Sequence, residues 1–436
     1  MSSRSRVRAL SARLPFGIGT VVVVLCAALV VTGGVVLASG DARTDDGEYA
    51  YGELRGYERE PGTAWTIVGQ EDLPDYTDEV TIEIADISDE GWLITYPSGL
   101  GRSFVMVDRR TGKLLWDSPI NAGQGDCAVN EAGQVGCAVQ LGTPLEDGFY
   151  LVDDAGVPTR TAEYLDTKAV EGLGTNFLRV NRVGHQVTLN TPAGKSIWAR
   201  TFAAPIVGID VTGDIVIIKT ADASQHLVNP ATGEDRIGCD QCSIRLYPSG
   251  VTVDHQAYGE EKVVTYATVN GRVDADPVAE ADGLRVLPGP STLPVLNAAN
   301  RVFAAEGQYE VRDPARPGAL WQIRDGELSK GNAVACGSLV DFGRLDGSRT
   351  TYELADGTHI GSGPPPGPQQ PILANPRCVG SSGTTMVLVN QGVLTGLTPA
   401  NTAAWERGLS SPGLVRVVDG YIVVSEGSTL SMLRPN

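Results

Sequence analysis

The sequence predicts an all-β fold: a β-propeller of four-stranded blades that follows a single N-terminal transmembrane helix. Three observations support this prediction. A turn pattern recurs about every 40 residues, a period typical of propeller blades. Glycine and proline are frequent, with 53 and 26 residues, which suits many tight turns between short strands. One uncharged apolar segment, at residues 17–39, is long enough to cross a membrane.

Residues 17–39 are predicted to form the transmembrane helix, because no charged side chain interrupts the sequence between Arg13 and Asp41. At about 1.5 Å per residue this helix would span roughly 34 Å, which exceeds a hydrocarbon core of about 30 Å. A secretory signal has a shorter apolar core, of about 7–15 residues. An uncleaved anchor is therefore the favoured interpretation, with cleavage near residues 37–40 as the alternative.

The charges on either side of this helix predict its orientation. Arginines precede the helix and acidic residues follow it, so the N terminus is expected to be cytoplasmic. Residues 1–16 are then a cytoplasmic N terminus, residues 40–61 an acidic flexible stalk, and residues 62–436 an extracytoplasmic propeller at the cell membrane. The predominance of arginine among the 34 basic residues is typical of a GC-rich bacterial genome.

The chain is strongly acidic, with 34 basic and 52 acidic residues and a formal net charge of −18. Four of the basic residues, Arg4, Arg6, Arg8 and Arg13, precede the apolar segment, so the remaining sequence carries −22. Such a surface repels phosphate backbones and anionic lipid. We therefore expect no nucleic-acid partner. The expected contacts are with the membrane, through residues 17–39, and with an unknown protein of the cell envelope.

The repeated pattern is an apolar β-rich run that ends in Asp or Asn and is followed by a Gly and, in four copies, by a Trp. The Asp or Asn side chain bonds its own backbone to start a tight turn, and Gly supplies a positive φ. A flat Trp side chain after the turn is suited to sealing the gap to the next blade. The residues assigned to these roles are Asp108, Gly112, Trp116, Asn190, Gly194, Trp198, Asn229, Gly233, Asp313, Gly318, Trp321 and Trp405.

Residues 62–68 have the character of the last strand of a unit. They are predicted to close the ring by completing the strands at 414–418, 421–425 and 429–433. The turn motifs and this closing unit would together make nine blades. The unit at 331–361 is short, however, and a partial unit there would leave eight. Eight blades are therefore expected, with seven and nine as the alternatives.

The unit Asp-Arg-Arg-Thr-Gly-Lys-Leu-Leu-Trp at 108–116 resembles the repeats of the pyrroloquinoline-quinone-like, or quinoprotein-type, β-propeller family. The resemblance covers roughly residues 62–433 and is to a membrane-anchored, non-enzymatic member. It implies a ring closed by its terminal strands. The dehydrogenases of this family hold their quinone with adjacent cysteines, a Trp floor and a calcium bound by Glu, Asn and Asp. No such set can be matched here, so no cofactor and no dehydrogenase activity are predicted.

Six cysteines follow Cys26, and an exported chain is expected to pair them. Six cysteines allow fifteen connectivities, but sequence spacing favours one. The first two flank a predicted hairpin turn, the next two are separated by only two residues, and the last two remain. The expected pairs are Cys127–Cys137, Cys239–Cys242 and Cys336–Cys378, the last joining neighbouring repeats. The C-x-x-C at 239–242 is interpreted as a structural disulfide, with a labile regulatory disulfide as the alternative.

The sequence contains no nucleophile elbow, zinc-protease helix motif, phosphate-binding loop or calcium-binding EF-hand loop. The acidic stretch at 71–90 lacks the spacing of a calcium loop and is interpreted as a solvated face. The histidines are isolated and expected on strand surfaces, although a ring can bring distant residues together; they are His185, His226, His255 and His359. No catalytic, cofactor-binding or metal-binding residue is therefore predicted.

These observations favour a scaffold that binds a protein or another ligand in the cell envelope, and not an enzyme. A second hypothesis is an extracytoplasmic enzyme or sensor whose site is assembled from several blades in the central channel. A third is an assembly factor similar to the lipoprotein of this family that serves outer-membrane protein assembly. That relative is tethered to the membrane by a lipid on a cysteine, whereas this chain is not expected to carry such a lipid. A shared fold does not transfer a function.

Overall fold

The computed structural model describes residues 49, 51–77, 81–162, 164–257, 259, 261–298, 307–344, 346–364, 376–410 and 413–436. The chain divides into two compact units, Met1–Asp46 and Gly47–Asn436, and the described residues belong to the second. This described part contains no helix that is long and apolar enough to cross a membrane. The predicted span at 17–39 and the predicted cytoplasmic residues 1–16 lie outside it.

Short antiparallel strands make up nearly all of the regular structure in the described residues. The first strand is β1 (Gly62–Val68), and the single-turn helix α1 (Gly69–Asp72) follows it directly. Blade one contains β2 (Glu83–Ile87), β3 (Gly91–Ser98), β4 (Gly101–Asp108) and β5 (Ile120–Gly123). Blade two contains β6 (Asp126–Val129), β7 (Val135–Val139), β8 (Gly148–Val152) and β9 (Pro158–Ala162). Blade three contains β10 (Thr167–Leu173), β11 (Asn176–Asn181), β12 (Gln186–Asn190) and β13 (Ser196–Thr201).

The middle blades continue this order. Blade four contains β14 (Ile206–Thr212), β15 (Ile215–Thr220), β16 (Gln225–Val228) and β17 (Asp235–Cys239). Blade five contains β18 (Cys242–Tyr247), β19 (Gly250–His255), β20 (Lys262–Val269), β21 (Arg272–Val273) and β22 (Ala279–Asp282). Its strands β21 and β22 both pair with β20 and share the fourth position. Blade six contains β23 (Leu284–Val286), β24 (Val295–Ala298), β25 (Gln308–Arg312) and β26 (Ala319–Arg324).

The last three blades complete the ring. Blade seven contains β27 (Leu328–Cys336), β28 (Leu339–Arg344), β29 (Arg349–Glu353) and β30 (His359–Gly363). Blade eight contains β31 (Arg377–Ser382), β32 (Thr385–Asn390), β33 (Val393–Leu397) and β34 (Ala403–Gly408). Blade nine contains β35 (Leu414–Val418), β36 (Tyr421–Glu426), β37 (Thr429–Arg434) and the N-terminal strand β1.

The fold is therefore an all-β propeller of nine four-stranded blades. The expectation of eight blades is wrong, because the unit at 331–361, short in sequence, forms a full blade seven. The predicted ring closure is confirmed: β1 pairs antiparallel with β37, from Gly62 opposite Arg434 to Val68 opposite Thr429. This pairing holds the two ends of the described chain together in one sheet, so blade nine is completed by a strand from the other end of the sequence.

The core lies between neighbouring blades. In β4, Phe104, Val105 and Val107 are fully buried, although successive residues of a strand point to opposite faces of the sheet. The middle strands of a blade pack on a neighbouring blade from both sides, so both of their faces are apolar. One cluster of this kind joins blades nine, one and two and includes Trp65 and Trp92.

The antiparallel order gives the ring two distinct faces. The hairpin face carries the turns between strands one and two and between strands three and four of each blade. The mouth face carries the loops between strands two and three and the connections from blade to blade. The first strands surround the central channel: β2 lies beside β6, β6 beside β10, and β10 beside β14.

Residues 51–61, expected to belong to a flexible stalk, instead pack on the hairpin face of blades eight and nine. The Leu54 backbone N–H donates to the Ser381 carbonyl at 2.8 Å. The Arg55 side chain donates through Nε to the Asp419 carbonyl at 2.7 Å and lies over the Tyr421 ring. Tyr49 also packs there: its ring centroid lies 4.1 Å from the Arg55 guanidinium carbon, and the ring lies against Gly420.

Tyr57 explains why this segment is held in place. The chain termini meet in blade nine, so that blade lacks a turn between its third and fourth strands. Tyr57 occupies this gap: it is fully buried, its hydroxyl donates to the Leu433 carbonyl at 2.6 Å and accepts from the Ile422 N–H at 2.9 Å. The Trp405 indole N–H donates to the Tyr57 carbonyl at 2.8 Å. The N-terminal segment thus replaces the missing turn.

Candidate functional site

The turn residues identified in the sequence lie on the hairpin face and build the ring. The carboxylate or amide oxygens of Asp108, Asn229 and Asp313 accept the backbone N–H two residues further on, at 3.1, 3.0 and 3.0 Å. A glycine with positive φ follows in each turn, as it does in blade three; the four are Gly112, Gly194, Gly233 and Gly318. These residues terminate strands and do not converge on a common site.

Asn190 is an exception to the predicted role. The strand of blade three continues through Asn190, so Thr191 takes the turn position instead, and its hydroxyl accepts the Lys195 N–H at 3.1 Å. The Asn190 side chain is buried and donates through Nδ2 to the Tyr164 hydroxyl at 3.0 Å. Asn190 therefore joins β12 to the connection between blades two and three and does not start the turn.

The tryptophans after the turns seal each blade against the next one. The Trp198 indole N–H donates to the Pro230 carbonyl at 2.8 Å, in the turn of blade four. Gly233 lies directly under this indole, where a Cβ atom would come within 2.6 Å of the ring. Trp321 donates in the same way to the Leu354 carbonyl at 2.8 Å. Trp116 packs on the corresponding glycine of blade two, Gly156.

The six cysteines lie in the pairs expected from the sequence. Cys127 and Cys137 are directly opposite each other on β6 and β7, and their Cα atoms are 4.1 Å apart. Cys336 of β27 is joined to Cys378 of β31, so this pair links the first strands of blades seven and eight. Cys239 and Cys242 connect blade four to blade five, and their side chains are 8% and 7% exposed. Their burial in an apolar cluster limits access of a reductant or thiol, which favours a structural role.

Within the part of the chain that the structure describes, no group of three or more His, Cys, Asp or Glu side chains is placed to hold a metal ion. Three of the histidines make local contacts instead. His185 Nδ1 lies 3.1 Å from the Phe202 carbonyl, His226 Nδ1 lies 3.3 Å from Asp235, and His359 Nε2 lies 2.9 Å from the Ser362 hydroxyl.

The structure brings together four carboxylates from four successive blades. Asp86, Asp126, Glu171 and Asp210 lie on the first strands β2, β6, β10 and β14, which adjoin one another around the channel. They are separated by about 40 residues in sequence because one blade repeats at that period. The ring geometry alone makes them neighbours.

Two of these carboxylates also brace one blade to the next. Asp86 Oδ2 accepts the Val129 N–H at 2.6 Å, and Asp126 Oδ2 accepts the Val170 N–H at 3.4 Å. Burial raises the pKa of both Asp86 and Asp126, although these hydrogen bonds act in the opposite direction. The carboxylates are therefore fixed by the scaffold and are costly to ionise.

Glu171 has the most perturbed environment of the four. Burial, and then repulsion from Asp126, Asp86 and Asp210, raises the pKa of Glu171 to about 8. Within the described residues, its carboxylate has neither a hydrogen-bond donor nor an ion-pair partner. A carboxyl group held this way exchanges its proton near neutral pH, which is a property of functional sites.

Three cations lie beside this group and partly neutralise it. Arg102 approaches Asp126 at 3.5 Å, Arg416 of blade nine approaches Glu83 at 3.0 Å, and Lys219 approaches Asp210 at 2.5 Å. Arg102 and Arg416 also line a cavity of about 180 Å³ with Thr95, Asp126 and Glu171. Because β2 and β6 begin at the mouth face, this cavity lies at that end of the channel.

Large apolar side chains are exposed at the same end of the ring, on blades one to four. Among the described residues, the four most exposed large apolar side chains are Leu100, Val183, Leu141 and Val207, at 106%, 69%, 67% and 66%. The first three lie in the loops between strands two and three of blades one, three and two, and Val207 is near the start of β14. All four are therefore on the mouth face of blades one to four. We call them the apolar rim.

The loops that carry the apolar rim are in direct contact. A Cβ atom on Gly101 would meet the Gly123 carbonyl at 2.4 Å, and one on Gly123 would meet Leu141 at 2.7 Å. The Arg182 guanidinium donates to Gln140 Oε1 at 2.8 and 3.1 Å, which ties the loop of blade three to that of blade two. The loops of blades one, two and three that carry Leu100, Leu141 and Val183 are therefore joined to one another.

Leu141 is presented at a conformational cost. Its φ is +58°, in the left-handed region that a residue with a branched side chain rarely adopts. Its N–H donates to Asp147 Oδ1 at 2.8 Å, which holds the loop in this conformation. A leucine that is exposed and strained contributes little to folding, so its presence is better explained by a function of the surface.

Sequence reasoning missed both parts of this site. Asp86 lies in the acidic stretch interpreted as a solvated face, yet the structure leaves it half-buried, with its carboxylate accepting the Val129 N–H of blade two. A local signal for the apolar rim was available: Leu100, Leu141 and Val183 each stand directly before a glycine in a loop where polar turn residues are the norm. The grouping of the carboxylates had no such signal, since it depends on the ring.

Known proteins were compared with this chain at the levels of sequence and structure. No family model matches the sequence, and no curated protein matches it. The crystal structure of BamB from Moraxella catarrhalis is similar with a TM-score of 0.41 and 14% identity, over 86% of this chain and 98% of that one. The computationally designed Ika8 protein is similar with a TM-score of 0.42 and 12% identity, over 88% and 98%.

A third similar structure is the Pan2 WD40 domain of Neurospora crassa, with a TM-score of 0.37 and 11% identity, over 87% of this chain and 97% of that one. The assignment of this chain to the propeller fold itself follows from its sheet topology. Membership of the quinoprotein-type repeat family stays a prediction from the turn motifs.

Proposed function

We propose that this protein is a membrane-anchored, extracytoplasmic β-propeller that acts as a protein-interaction scaffold in the cell envelope. The apolar rim carries this proposal. Large apolar side chains exposed together on one face of a protein are typical of protein-interaction sites, because leaving them in water does not stabilise the free protein. The loops that present them stand on a closed ring, which fixes their relative positions before a partner binds.

The anchor and the location rest on the sequence. Residues 17–39 have the length and apolarity of a transmembrane helix, and the charges around them favour a cytoplasmic N terminus. The three cysteine pairs suit an oxidising compartment. Protease digestion of intact and of opened cells tests this topology: the ring should be cleaved from outside, and cleavage only after opening the membrane would contradict it.

Photo-crosslinking in the native cell tests the scaffold function. A photoreactive amino acid at Leu141 of the full chain should yield a discrete adduct with another protein. The matched control is the same amino acid at Val269, which is 56% exposed and is the last residue of β20, beside the β20–β21 turn on the hairpin face. An adduct from Leu141 but not from Val269 is expected. The absence of any adduct from Leu141, Leu100 and Val183 would remove the support for a scaffold.

A second candidate function is an enzyme or sensor whose site is the carboxylate group of the channel. The observation that favours it is Glu171, whose pKa of about 8 suits proton transfer near neutral pH. This candidate predicts a response to a small ligand that disappears in Glu171→Gln while the Leu141 crosslink is retained. Loss of the crosslink without any ligand response would favour the scaffold instead.

A further inference from the structure

We propose that the gap between blades two and three on the hairpin face is a binding slot for a tryptophan side chain of a partner protein. The slot is the place where the ring lacks one of its own sealing tryptophans. It lies on the opposite face from the apolar rim, so this inference goes beyond the function proposed for that rim and does not depend on it.

The sealing tryptophans share one position within the blade. Each stands directly opposite the third-strand residue that lies two places before the turn: Trp198 opposite Leu189, Trp321 opposite Val311 and Trp405 opposite Gly396. Side chains of directly opposed residues lie on the same face of a sheet, here the face towards the next blade. The repeat therefore defines where a sealing side chain is expected in every blade.

Blade two has a small polar residue at this position. Thr159 stands directly opposite Leu151, two places before the turn residue Asp153, and Leu151 packs on the apolar cluster between blades two and three. Blade four fills the same position with Ile237, which is buried opposite Leu227. Thr159 is exposed instead, so the position is left open towards solvent.

A cavity of about 400 Å³ lies at this open position. Leu151 and Thr159 line it, together with the β6–β7 turn at 132–134. Asn130 fixes that turn, because its Oδ1 accepts the backbone N–H of residues 132 and 134 at 3.1 and 3.0 Å. The cavity is within the usual size of ligand pockets, about 300–1,000 Å³, and its wall is ordered before a ligand binds.

Tyr164 closes only part of this gap. It enters from the connection between blades two and three, its ring centroid lies 5.9 Å from that of Phe149, and its hydroxyl donates to the Gly194 carbonyl. Tyr164 does not line the cavity, however. The space beside Thr159 is therefore still available to a flat side chain.

The acceptor that an indole would use is also available. Indole N–H groups donate to the carbonyl that follows the turn residue of the next blade: Trp65 to Arg109, Trp198 to Pro230 and Trp321 to Leu354, at 3.0, 2.8 and 2.8 Å. In blade three the corresponding carbonyl is that of Pro192, which follows the turn residue Thr191. Within the described residues this carbonyl accepts no hydrogen bond.

The indole has to come from another protein. The chain contains six tryptophans, which are all packed within the ring: Trp65, Trp92, Trp116, Trp198, Trp321 and Trp405. A second copy therefore has no free indole to insert. Asp153 and Asp154 line the slot and no basic residue does, which disfavours an anionic ligand and suits a neutral group with an N–H donor. Tryptophan is also a frequent anchor residue in protein interfaces.

Peptide binding to the full chain tests the chemistry of the slot. The protein is placed in nanodiscs of neutral phosphatidylcholine, with empty nanodiscs as the blank, and binding is followed by saturation-transfer NMR. The probe is the capped peptide Gly-Ser-Trp-Ser-Gly, and the controls carry leucine or 1-methyltryptophan in place of tryptophan. We expect the tryptophan peptide to bind at least about tenfold more tightly than the leucine peptide, and more tightly than the methylated one, which lacks the indole N–H.

Variants of the chain then assign the binding to the slot. Thr159→Trp fills the slot with an indole of the ring itself and should weaken binding of the tryptophan peptide at least about tenfold. Thr159→Phe is a second filling variant and should act in the same direction. The matched control Val269→Trp adds an exposed aromatic side chain on the hairpin face of blade five and should leave the affinity unchanged. Far-UV circular dichroism and the melting temperature confirm that each variant is folded.

A photoreactive amino acid at Asp154 in the native cell tests for the partner. An adduct with another protein that disappears in Thr159→Trp is expected. The inference is overturned if no adduct forms, if Thr159→Trp leaves the adduct unchanged, or if the leucine peptide binds as well as the tryptophan peptide. A clear drop in the melting temperature of both filling variants would show that the slot cannot hold a ring and would also overturn it.

The scaffold function is tested separately, because the Leu141 crosslink reports on the mouth face. That crosslink should persist in Thr159→Trp. If it persists while the tryptophan peptide fails to bind, the slot inference fails and the scaffold function stands. If the tryptophan peptide binds while Leu141, Leu100 and Val183 give no adduct, the slot stands and the function proposed for the apolar rim fails.

Discussion

Blades one to three and blades eight and nine are built from the same four-stranded unit but present opposite surfaces. The loops between strands two and three carry Leu100, Leu141 and Val183 in the first group. In the second group the same loops read Gln391-Gly392 and Gly427-Ser428. The first strands also differ. Those of blades one to three each carry a carboxylate, Asp86, Asp126 or Glu171, whereas β31 of blade eight has no acidic residue and is almost entirely buried.

One side of the ring therefore carries its closure, and the other carries the carboxylates of the channel and the exposed apolar rim. Around blades eight and nine, the N-terminal segment at 51–61, the buried Tyr57 and the Cys336–Cys378 pair hold the ring together. Around blades one to three, like charges lie close together and apolar side chains face water, both of which oppose folding.

The largest effect is expected where Tyr57 closes the ring. Tyr57→Ala removes a fully buried aromatic side chain and the two hydrogen bonds of its hydroxyl, so the free energy of unfolding should fall by about 3–5 kcal/mol. Tyr57→Phe keeps the ring and should cost about 1–3 kcal/mol. Urea unfolding followed by tryptophan fluorescence measures both. Equal, small losses would show that residues 51–61 do not close blade nine.

The next effect concerns the two disulfides that connect blades. Replacing Cys336 and Cys378 by serine opens a crosslink with a sequence separation of 42 and should cost about 2–4 kcal/mol in unfolding free energy. The same change at Cys239 and Cys242 opens a separation of only 3 and serves as the control, with a clearly smaller loss. All four cysteines are buried, so burying the hydroxyls of the introduced serines should cost a similar free energy in both variants. A larger loss at Cys239 and Cys242 would contradict the role of the closing side.

A smaller effect, dependent on pH, is expected at Glu171. Its pKa is raised from 4.5 to about 8 in the folded ring, so between these values the folded state holds a proton that the unfolded state releases. Stability therefore falls as the pH rises from about 4.5 to about 8. Glu171→Gln removes this loss and should stabilise the folded state at pH 9 by roughly 1 kcal/mol after allowance for partial exposure, which for a ring of this size raises the melting temperature by about 1 °C.

Thermal unfolding at about pH 5.5 and about pH 9 checks this prediction, since the gain should be clearly smaller at the lower pH. Glu131→Gln, on the exposed hairpin of blade two, is the control and should change the melting temperature equally at both values. A gain at pH 5.5 as large as that at pH 9 would mean that Glu171 does not titrate between them.

The smallest effect on stability is expected at the apolar rim. Leu141→Asn and Leu100→Asn replace exposed side chains, so each should change the free energy of unfolding by no more than about 0.5 kcal/mol. Leu141→Asn should tend towards a gain, because asparagine tolerates the positive φ better than leucine. Urea unfolding provides the measurement. A loss above about 2 kcal/mol would show that the apolar rim stabilises the fold, as the residues around Tyr57 do, and would contradict the difference drawn between the two sides of the ring.

The repeating unit could be predicted from the sequence because its signals are local. Asp108 bonds to backbone groups two and three residues away, and Gly112 supplies the positive φ of the same turn. The closing strand at 62–68 could also be predicted. The repeats leave a single strand at the start of the sequence and three strands at its end, and together these make one four-stranded blade. Thr191, which replaces Asn190 in the turn of blade three, shows the limit: a one-residue extension of the strand shifts the role to the next side chain.

The tertiary structure alone decided the number of blades, the fate of residues 51–61 and the composition of the candidate site. The direction of a first-strand side chain depends on bulges, such as those at Ala85, Lys168 and Val207, which change the face of every later residue. The neighbours of Asp86 and Glu171 come from blades about 40 residues away in sequence. Turns are determined by contacts within a few residues, whereas the acid-lined mouth and its apolar rim exist only once the ring has closed.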